Sequence, residues 1–393
     1  MSERLLDQYG RLPQEIRDDP YPWYDRLRTE APVHRVTLPH GEEAWLITRY
    51  SDAREALNDP RLSNDPANGK APAPVGFRHM GNSDPPDHLR LRRLVAKVFT
   101  PRYIATLRPV IEQTATELLD SIDDRSEVDL ISQYAHPLPL TVICQMLGVP
   151  SSDHDALRGW FATMAAIGAA PADELEAAFG SLMAYFSQLI AAKRAEPTGD
   201  LLSELTAVRD GSDSLDDTEL LSMAFALVGA GHETVTNLIG NTVVTLLRSP
   251  AQLREVLDDP ALIRSAVEEV LRFESPVPSA GARYTTEPVV IGGVEIPANE
   301  HVMIGLGIGN RDPERFDAPA DFDLHRSDIA HLAFGHGRHF CIGAHLAQLE
   351  AEIAVAMLLA RHPETTLADP DAPVEWLDGV ARRGVRRLPL TLR

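Results

Sequence analysis

The feature that most limits the fold is a run over about residues 215–247 that is apolar on nearly all sides of a helix. Ser214 with Asp217 marks its start, and Ser249-Pro250 its stop. At 1.5 Å per residue such a helix extends roughly 50 Å, enough to cross a domain. A helix apolar on every side must be covered, so this one is expected to be central and buried. Its middle breaks the rule with Gly229, Ala230, Gly231, His232, Glu233 and Thr234. An acid and an alcohol in an apolar helix are costly unless paired or used. Thr234 can bond back to the carbonyl of Ala230 and open the helix locally.

Most of the remaining chain also has helical apolar spacing, with strands towards the two ends. Residues 33–36 and 44–48 flank His40-Gly41 as a hairpin, and residues 289–291 and 294–296 flank Gly292-Gly293. Residues 302–306 add a further strand. Residues 63–84 and 276–282 are rich in Pro, Gly and Ala and read as loops, the first long enough to suit a binding role. No Gly/Ser-rich, repetitive or long charged stretch separates parts of the 393 residues, so a single domain over 1–393 is expected.

Bulk properties remove several classes. The formal charge of −21 argues against broad nucleic-acid binding, which needs a basic footprint. The beginning of the chain has no basic segment followed by an apolar run. Residues 220–231, apolar until His232 and Glu233, fall short of the roughly 20 residues that span a bilayer. A soluble, cytoplasmic protein without membrane attachment is expected. Two cysteines, Cys144 and Cys341, exclude a disulfide framework and fit a reducing compartment.

The segment around Cys341 is the sharpest chemical signal. Gly335, Gly337 and Gly343 frame it, and Ile342, Leu346, Leu349, Ile353 and Met357 follow at helical spacing. Cys341 therefore sits where a tight loop enters a helix, and there the helix dipole and free N–H groups stabilise a thiolate. A buried structural cysteine would leave the glycines unexplained. Zinc is an alternative because His336, His339 and His345 crowd the same stretch, although no second cysteine and no standard ligand spacing is present. A nucleophilic cysteine is the third possibility.

Phe334, Gly337, Cys341 and Gly343 together resemble the haem-binding loop of the cytochrome P-450 family. Other residues resemble that family in the same order along the chain. Glu269-Val-Leu-Arg272 matches its Glu-x-x-Arg pair, for which the resemblance implies a buried structural network. Asn310-Arg311-Asp312-Pro313 and Phe322-Asp323 follow where the family has such sequences. Gly231-His232-Glu233-Thr234 matches its oxygen-activation signature. Asp84-Pro85-Pro86-Asp87-His88 with Arg92 resembles the opening of a helix beside the haem, with His88 and Arg92 spaced to grip a carboxylate. Arg283 and His339 fall where the family places further partners of the haem propionates. Arg338 and His345 depart from the usual residue types; Arg338 could reinforce the propionates or a partner, and His345 reads as a surface residue.

The resemblance runs from Tyr21-Pro22 to the C-terminal strands. It implies a mainly α fold with small β-sheets, a triangular helical domain around a buried haem with a long central helix. It implies haem b (iron protoporphyrin IX) bound through Cys341, with Ala230, Gly231, Phe334, Arg338 and Gly343 among the residues around it. It implies a monooxygenase that takes O2 and two external electrons, the thiolate favouring O–O cleavage and Thr234 with Glu233 and ordered water delivering protons. No flavin or nicotinamide segment is visible, so a ferredoxin and its reductase are the expected donors to a monomeric enzyme. Arg90, Arg92, Arg93, Lys97 and Arg102 form an acid-free run that could steer such a partner. Substrate contacts are expected from residues 63–84, 160–185, 276–282 and near Val380. A bulky, mostly apolar small molecule would suit them, hydroxylated or epoxidised, as in relatives that tailor macrolides and other polyketides. The competing function is a haem-thiolate protein that binds a ligand without oxygenating it.

Overall fold

The computed structural model describes residue 16 and residues 18–38, 41–70, 77–165, 171–377 and 382–393. In chain order it forms α1 (Tyr21–Glu30), β1 (Val33–Thr37), β2 (Glu43–Ile47), α2 (Tyr50–Ala56), β3 (Leu62–Ser63), α3 (Asp87–Val98), α4 (Pro101–Thr106) and α5 (Arg108–Asp120). There follow β4 (Glu127–Asp129), α6 (Pro137–Met146), α7 (His154–Ala165), α8 (Ala172–Ala195), α9 (Leu201–Ala207) and α10 (Asp217–Leu247). The last part holds α11 (Pro250–Asp258), α12 (Ile263–Phe273), β5 (Arg283–Thr285), β6 (Val289–Ile291), β7 (Val294–Ile296), β8 (His301–Ile304), α13 (Ala344–Arg361), β9 (Thr366–Leu367), β10 (Glu375–Trp376), β11 (Val385–Arg387) and β12 (Pro389–Thr391). The architecture is mainly helical with small sheets, as the sequence implies. His40 and Val380 lie outside the described residues.

Backbone contacts group the chain into two compact units. The first comprises residues 1–72, 115–136 and 234–393, and the second residues 73–114 and 137–233. All the sheets belong to the first. Its largest has the order β1-β2-β8-β5-β3. β1 and β2 pair antiparallel with Val33 opposite Ile47, the hairpin expected around His40-Gly41. β2 and β8 run parallel, Trp45 opposite Val302. Alternate residues on these strands enter opposite cores: Ile47, Val302 and Ile304 pack with Val33 and Leu57, whereas Ala44, Leu46 and Met303 pack with Trp23 and Leu27. A sheet covered on both faces suits the apolar runs of residues 44–47 in β2 and 302–304 in β8. β6 and β7 form the second expected hairpin, with Gly292 at φ 56° and Gly293 at φ 82° supplying the turn.

α10 holds 31 residues and ends where Pro250 begins α11. Its cap differs from the expected one. Asp216, rather than Ser214, accepts the backbone N–H of Glu219 (2.8 Å), and Glu219 accepts that of Asp216 (3.0 Å). This reciprocal box satisfies two helix-end donors two residues later than Ser214 would. The helix runs unbroken through residues 229–234.

α8 has the length and apolar composition to cross a bilayer, though only 28% of its apolar window is buried. It carries Asp173 and Glu174 in its first turn and Lys193 and Arg194 in its last, and those charges complement the helix dipole.

Candidate active site

The cysteine loop lies in the first unit and is closed by a backbone bond across its base. Cys341 N–H donates to Phe334 O (2.9 Å), and Phe340 N–H donates to Gly337 O (3.0 Å). Gly335 and Gly337 both have φ 72°, a backbone region that a Cβ disfavours. A Cβ on Gly337 would in addition run into the Asn58 side chain. Gly343 has an ordinary φ of −85° and serves differently: a Cβ there would lie 3.8 Å from Cys341 Sγ. Glycine at that position leaves one side of the sulfur bare. Cys341 is exposed, as is Phe340 at 42%. α13 begins at Ala344 with Gly343 as its N-cap, and Ala347 N–H bonds to Gly343 O (2.9 Å). The sulfur therefore stands beside a helix N-terminus, whose positive end favours a thiolate. Among the described residues no three His, Cys, Asp or Glu gather to hold a metal ion, so His336, His339 and His345 form no ligand set with Cys341.

Below the loop, Glu269 and Arg272 are fully buried and joined twice, at 2.9 and 2.6 Å. Arg272 also donates to the carbonyls of Asn310 (3.1 Å), Pro319 (2.9 Å) and Asp321 (2.9 Å). Arg326 reaches Glu269 at 3.0 Å, and the Asp323 N–H donates to it at 3.1 Å. Asn310 Oδ1 accepts the Leu332 N–H (2.6 Å), which ties this cluster to the segment leading into the loop. Arg326 carries no signal in the sequence, since it stands 57 residues from its carboxylate.

The remaining expected residues fall in both units. In the first, Thr234 and His339 are half-buried, and Arg283 on β5 is buried with Nη1 on the carbonyls of Gly281 (3.0 Å) and Ala282 (3.3 Å). Arg338 turns to Asn58 O (3.3 Å) and so links the loop to the end of α2. His345 is exposed on α13, the surface position expected. In the second, His88 is fully buried on α3, with Arg92 half-buried one turn on. Glu233 and Gly231 are half-buried.

α10 is less uniformly buried than its composition suggests. Val228, Val235, Leu238 and Ile239 are covered, yet Ala226, Leu227 and Thr234 are only half-buried and Ala230 is exposed. Between residues 225 and 234 only Val228 and His232 are buried, so the helix is partly open around most of its circumference there, and most open at Ala230. Within the second unit this stretch adjoins an aromatic cluster. Phe77, Phe161 and Phe179 meet Phe225 of α10 with ring centroids 5.1, 5.7 and 5.8 Å away. Phe161 also lies 3.8 Å from where a Cβ of Gly229 would be. His79 stacks edge-on to Phe77 at 5.6 Å, and burial pushes its pKa down to about 4, which keeps it neutral.

The basic run of α3 is less free than it reads. Arg90 pairs with Asp213 (3.1 Å) and Glu219, and Lys97 with Asp210 (2.8 Å), with Arg93 3.8 Å from the same carboxylate. Acids more than a hundred residues later fold back on it. Arg102 is exposed and has no ion pair among the described residues.

These features fit a haem. The exposed sulfur of Cys341 at a helix N-terminus suits a thiolate ligand to the haem iron, and glycine at 343 leaves room beside it. Comparisons with known proteins agree. The family model described as cytochrome P-450 matches residues 176–374. Cytochrome P-450 107B1 of Saccharopolyspora erythraea is 45% identical over 381 residues, 93% of each chain. Mycinamicin IV hydroxylase/epoxidase of Micromonospora griseorubida is 41% identical over 376 residues, covering 93% of this chain and 94% of its own. The solved structure of the bacillaene polyketide synthase cytochrome P-450 PksS of Bacillus subtilis superposes with a TM-score of 0.91 at 37% identity, over 97% of this chain and 98% of that one. Hydroxylation and epoxidation insert oxygen, so these relatives leave the non-oxygenating alternative without support. With the cysteine loop, the Glu269–Arg272 cluster and whole-length similarity in agreement, the chain belongs to the cytochrome P-450 family and is one of its monooxygenases.

Proposed function

We propose that this monooxygenase hydroxylates or epoxidises a bulky, mostly apolar secondary metabolite of the macrolide or wider polyketide type. The observation that carries this reading is the apolar lining supplied by four chain segments. Phe77, Phe161 and Phe179 come from the stretches expected to touch substrate, and they converge on Phe225, next to the open stretch at Ala226 and Ala230. Such a lining favours a large ligand with few polar groups. The names of the mycinamicin and bacillaene relatives support the same class.

Cys341 would hold haem b through its thiolate, and Arg283 and His339 in the first unit and His88 and Arg92 in the second are the candidate partners for its propionates. Ala230, Gly231, Phe334 and Gly343 leave room for the flat group. When bound, haem supplies oxygen binding, O–O cleavage and transfer of one oxygen atom. Thr234 presents a hydroxyl where a proton is needed, and Glu233 beside it passes protons in from water. Apolar side chains along α10 and the phenylalanine cluster keep bulk water away, which protects that proton path. Arg338, engaged with Asn58, serves the loop more than the propionates. Electrons come from a ferredoxin and its reductase, docking beside residues such as Arg102 that retain free charge. We place the enzyme in the cytoplasm as a monomer, its two compact units forming one functional domain. The test is a spin-state titration with macrolides, other polyketides and fatty acids, followed by turnover with a ferredoxin system. The expected result is a spin shift and a product heavier by one oxygen for a macrolide or polyketide. Response to fatty acids alone would contradict the substrate class.

A further inference from the structure

Glu268 stands immediately before the buried Glu269 of α12, and its two oxygens are used by different parts of the cysteine loop. Oε2 lies 3.2 Å from His331 Nε2. Oε1 accepts a bond from Gln348 Nε2. His331 belongs to the segment that enters the loop, and Gln348 to the helix that leaves it. The side chains of His331 and Glu268 are 7% and 22% exposed, so water screens the contact little.

The ring of His331 is fixed in its proton state by its other contact. Nδ1 accepts the Ala333 N–H at 3.3 Å. An accepting Nδ1 in a neutral imidazole leaves the proton on Nε2, which then donates to the Glu268 carboxylate. The ring also lies 6.0 Å from that of Phe334, whose carbonyl accepts the Cys341 N–H. One carboxylate thus joins the segments on both sides of the loop to α12, which Arg272 anchors to three carbonyls.

We infer that Glu268 is a positioning residue for Cys341, setting the height and orientation of the thiolate through His331 and Gln348. The inference rests on Cys341 being the haem ligand. Glutamine cannot replace it: an amide offers one accepting oxygen, and its NH2 faces a donor on the other side. Direct hydrogen-bond partners of a metal ligand typically alter affinity by 10- to 100-fold, and Glu268, acting through both ends of the loop, is expected at the lower end of that range.

The experiment uses the full-length haemoprotein and two readouts other than turnover. One is the position of the Soret band of the reduced carbon monoxide complex, which separates thiolate from thiol ligation. The other is the rate of haem transfer to excess apomyoglobin. Wild type and Cys341→Ser are measured first; a wild type without the thiolate band overturns the ligand assignment and this inference together. Given that band, Glu268→Ala should shift a large part of it to the thiol position and speed haem loss about tenfold. Glu268→Gln and Gln348→Ala, each losing one arm, should speed it about threefold with a smaller shift, as expected for one weakened hydrogen bond. Should Glu268→Ala fail to fold, these single-arm variants decide. Haem retention and a fully thiolate spectrum equal to wild type in both would overturn the role of Glu268 while leaving Cys341 in place.

Discussion

The Glu269–Arg272 cluster and the middle of α10 treat polar groups in helices in opposite ways. In the cluster every donor of Arg272 has an acceptor, Glu269 has three partners, and both side chains are fully buried. In α10, Glu233 and Thr234 lie on a stretch that is half-open, beside an exposed Ala230. A closed network stabilises one arrangement of the chain, and loss of a charged member leaves its partners with fewer bonds in a buried site. A polar pair on a half-open stretch of helix remains accessible to a ligand and is a candidate for chemistry. The difference contrasts a cluster that fixes the chain around it with the pair proposed to take part in proton delivery.

The largest effect should come from breaking the closed side. Arg272→Ala leaves the Glu269 carboxylate with only Arg326 and the Asp323 N–H and should cost about 3 kcal/mol, so that little folded, haem-containing protein accumulates; expression with a haem stain and thermal melting would check it. Next, Phe225→Ala removes the hub of the aromatic cluster. It should cost about 2 kcal/mol, because the site is only half-buried, and weaken substrate binding in spin-shift titrations about tenfold.

A smaller effect tests a third case, a buried carboxyl without a partner. Glu350 on α13 is 2% exposed, its Oε2 has no hydrogen-bond partner, and burial pushes its pKa well above the usual carboxylate range. The folded state therefore keeps the proton at pH values where the unfolded chain has released it. Stability should fall as pH rises from the ordinary carboxylate range through that raised pKa. Glu350→Gln should remove this loss, melting higher than wild type at alkaline pH and converging with it at acidic pH. The smallest stability effect belongs to the open side: Thr234→Ala should melt within about 0.5 kcal/mol of wild type. It should keep haem and divert electrons to peroxide, which a coupling assay measures. Full coupling would remove Thr234 from the proton path.

Local signals were legible and long-range ones were not. Both hairpins and the span of α10 follow from periodicity and from turn residues, which act over a few positions. The glycines of the cysteine loop were visible as a group, but their division of labour needed φ values: Gly335 and Gly337 serve the backbone, Gly343 the sulfur. The cap of α10 shifted to Asp216 because Glu219 could answer it across the same turn. Arg326, His331 and Gln348 find their carboxylates 57, 63 and 80 residues away, and no spacing rule reaches so far. The basic face of α3 misled for the same reason, since Asp210, Asp213 and Glu219 are distant in sequence and adjacent in space.

The central claim is that a cysteine thiolate from the open loop, held by the closed cluster beneath it, binds the iron. The reduced carbon monoxide spectrum of wild type and Cys341→Ser tests this most directly. Wild type should show the thiolate-type Soret band and the variant should lose it. A variant that retains the band would place the ligand elsewhere and contradict the account.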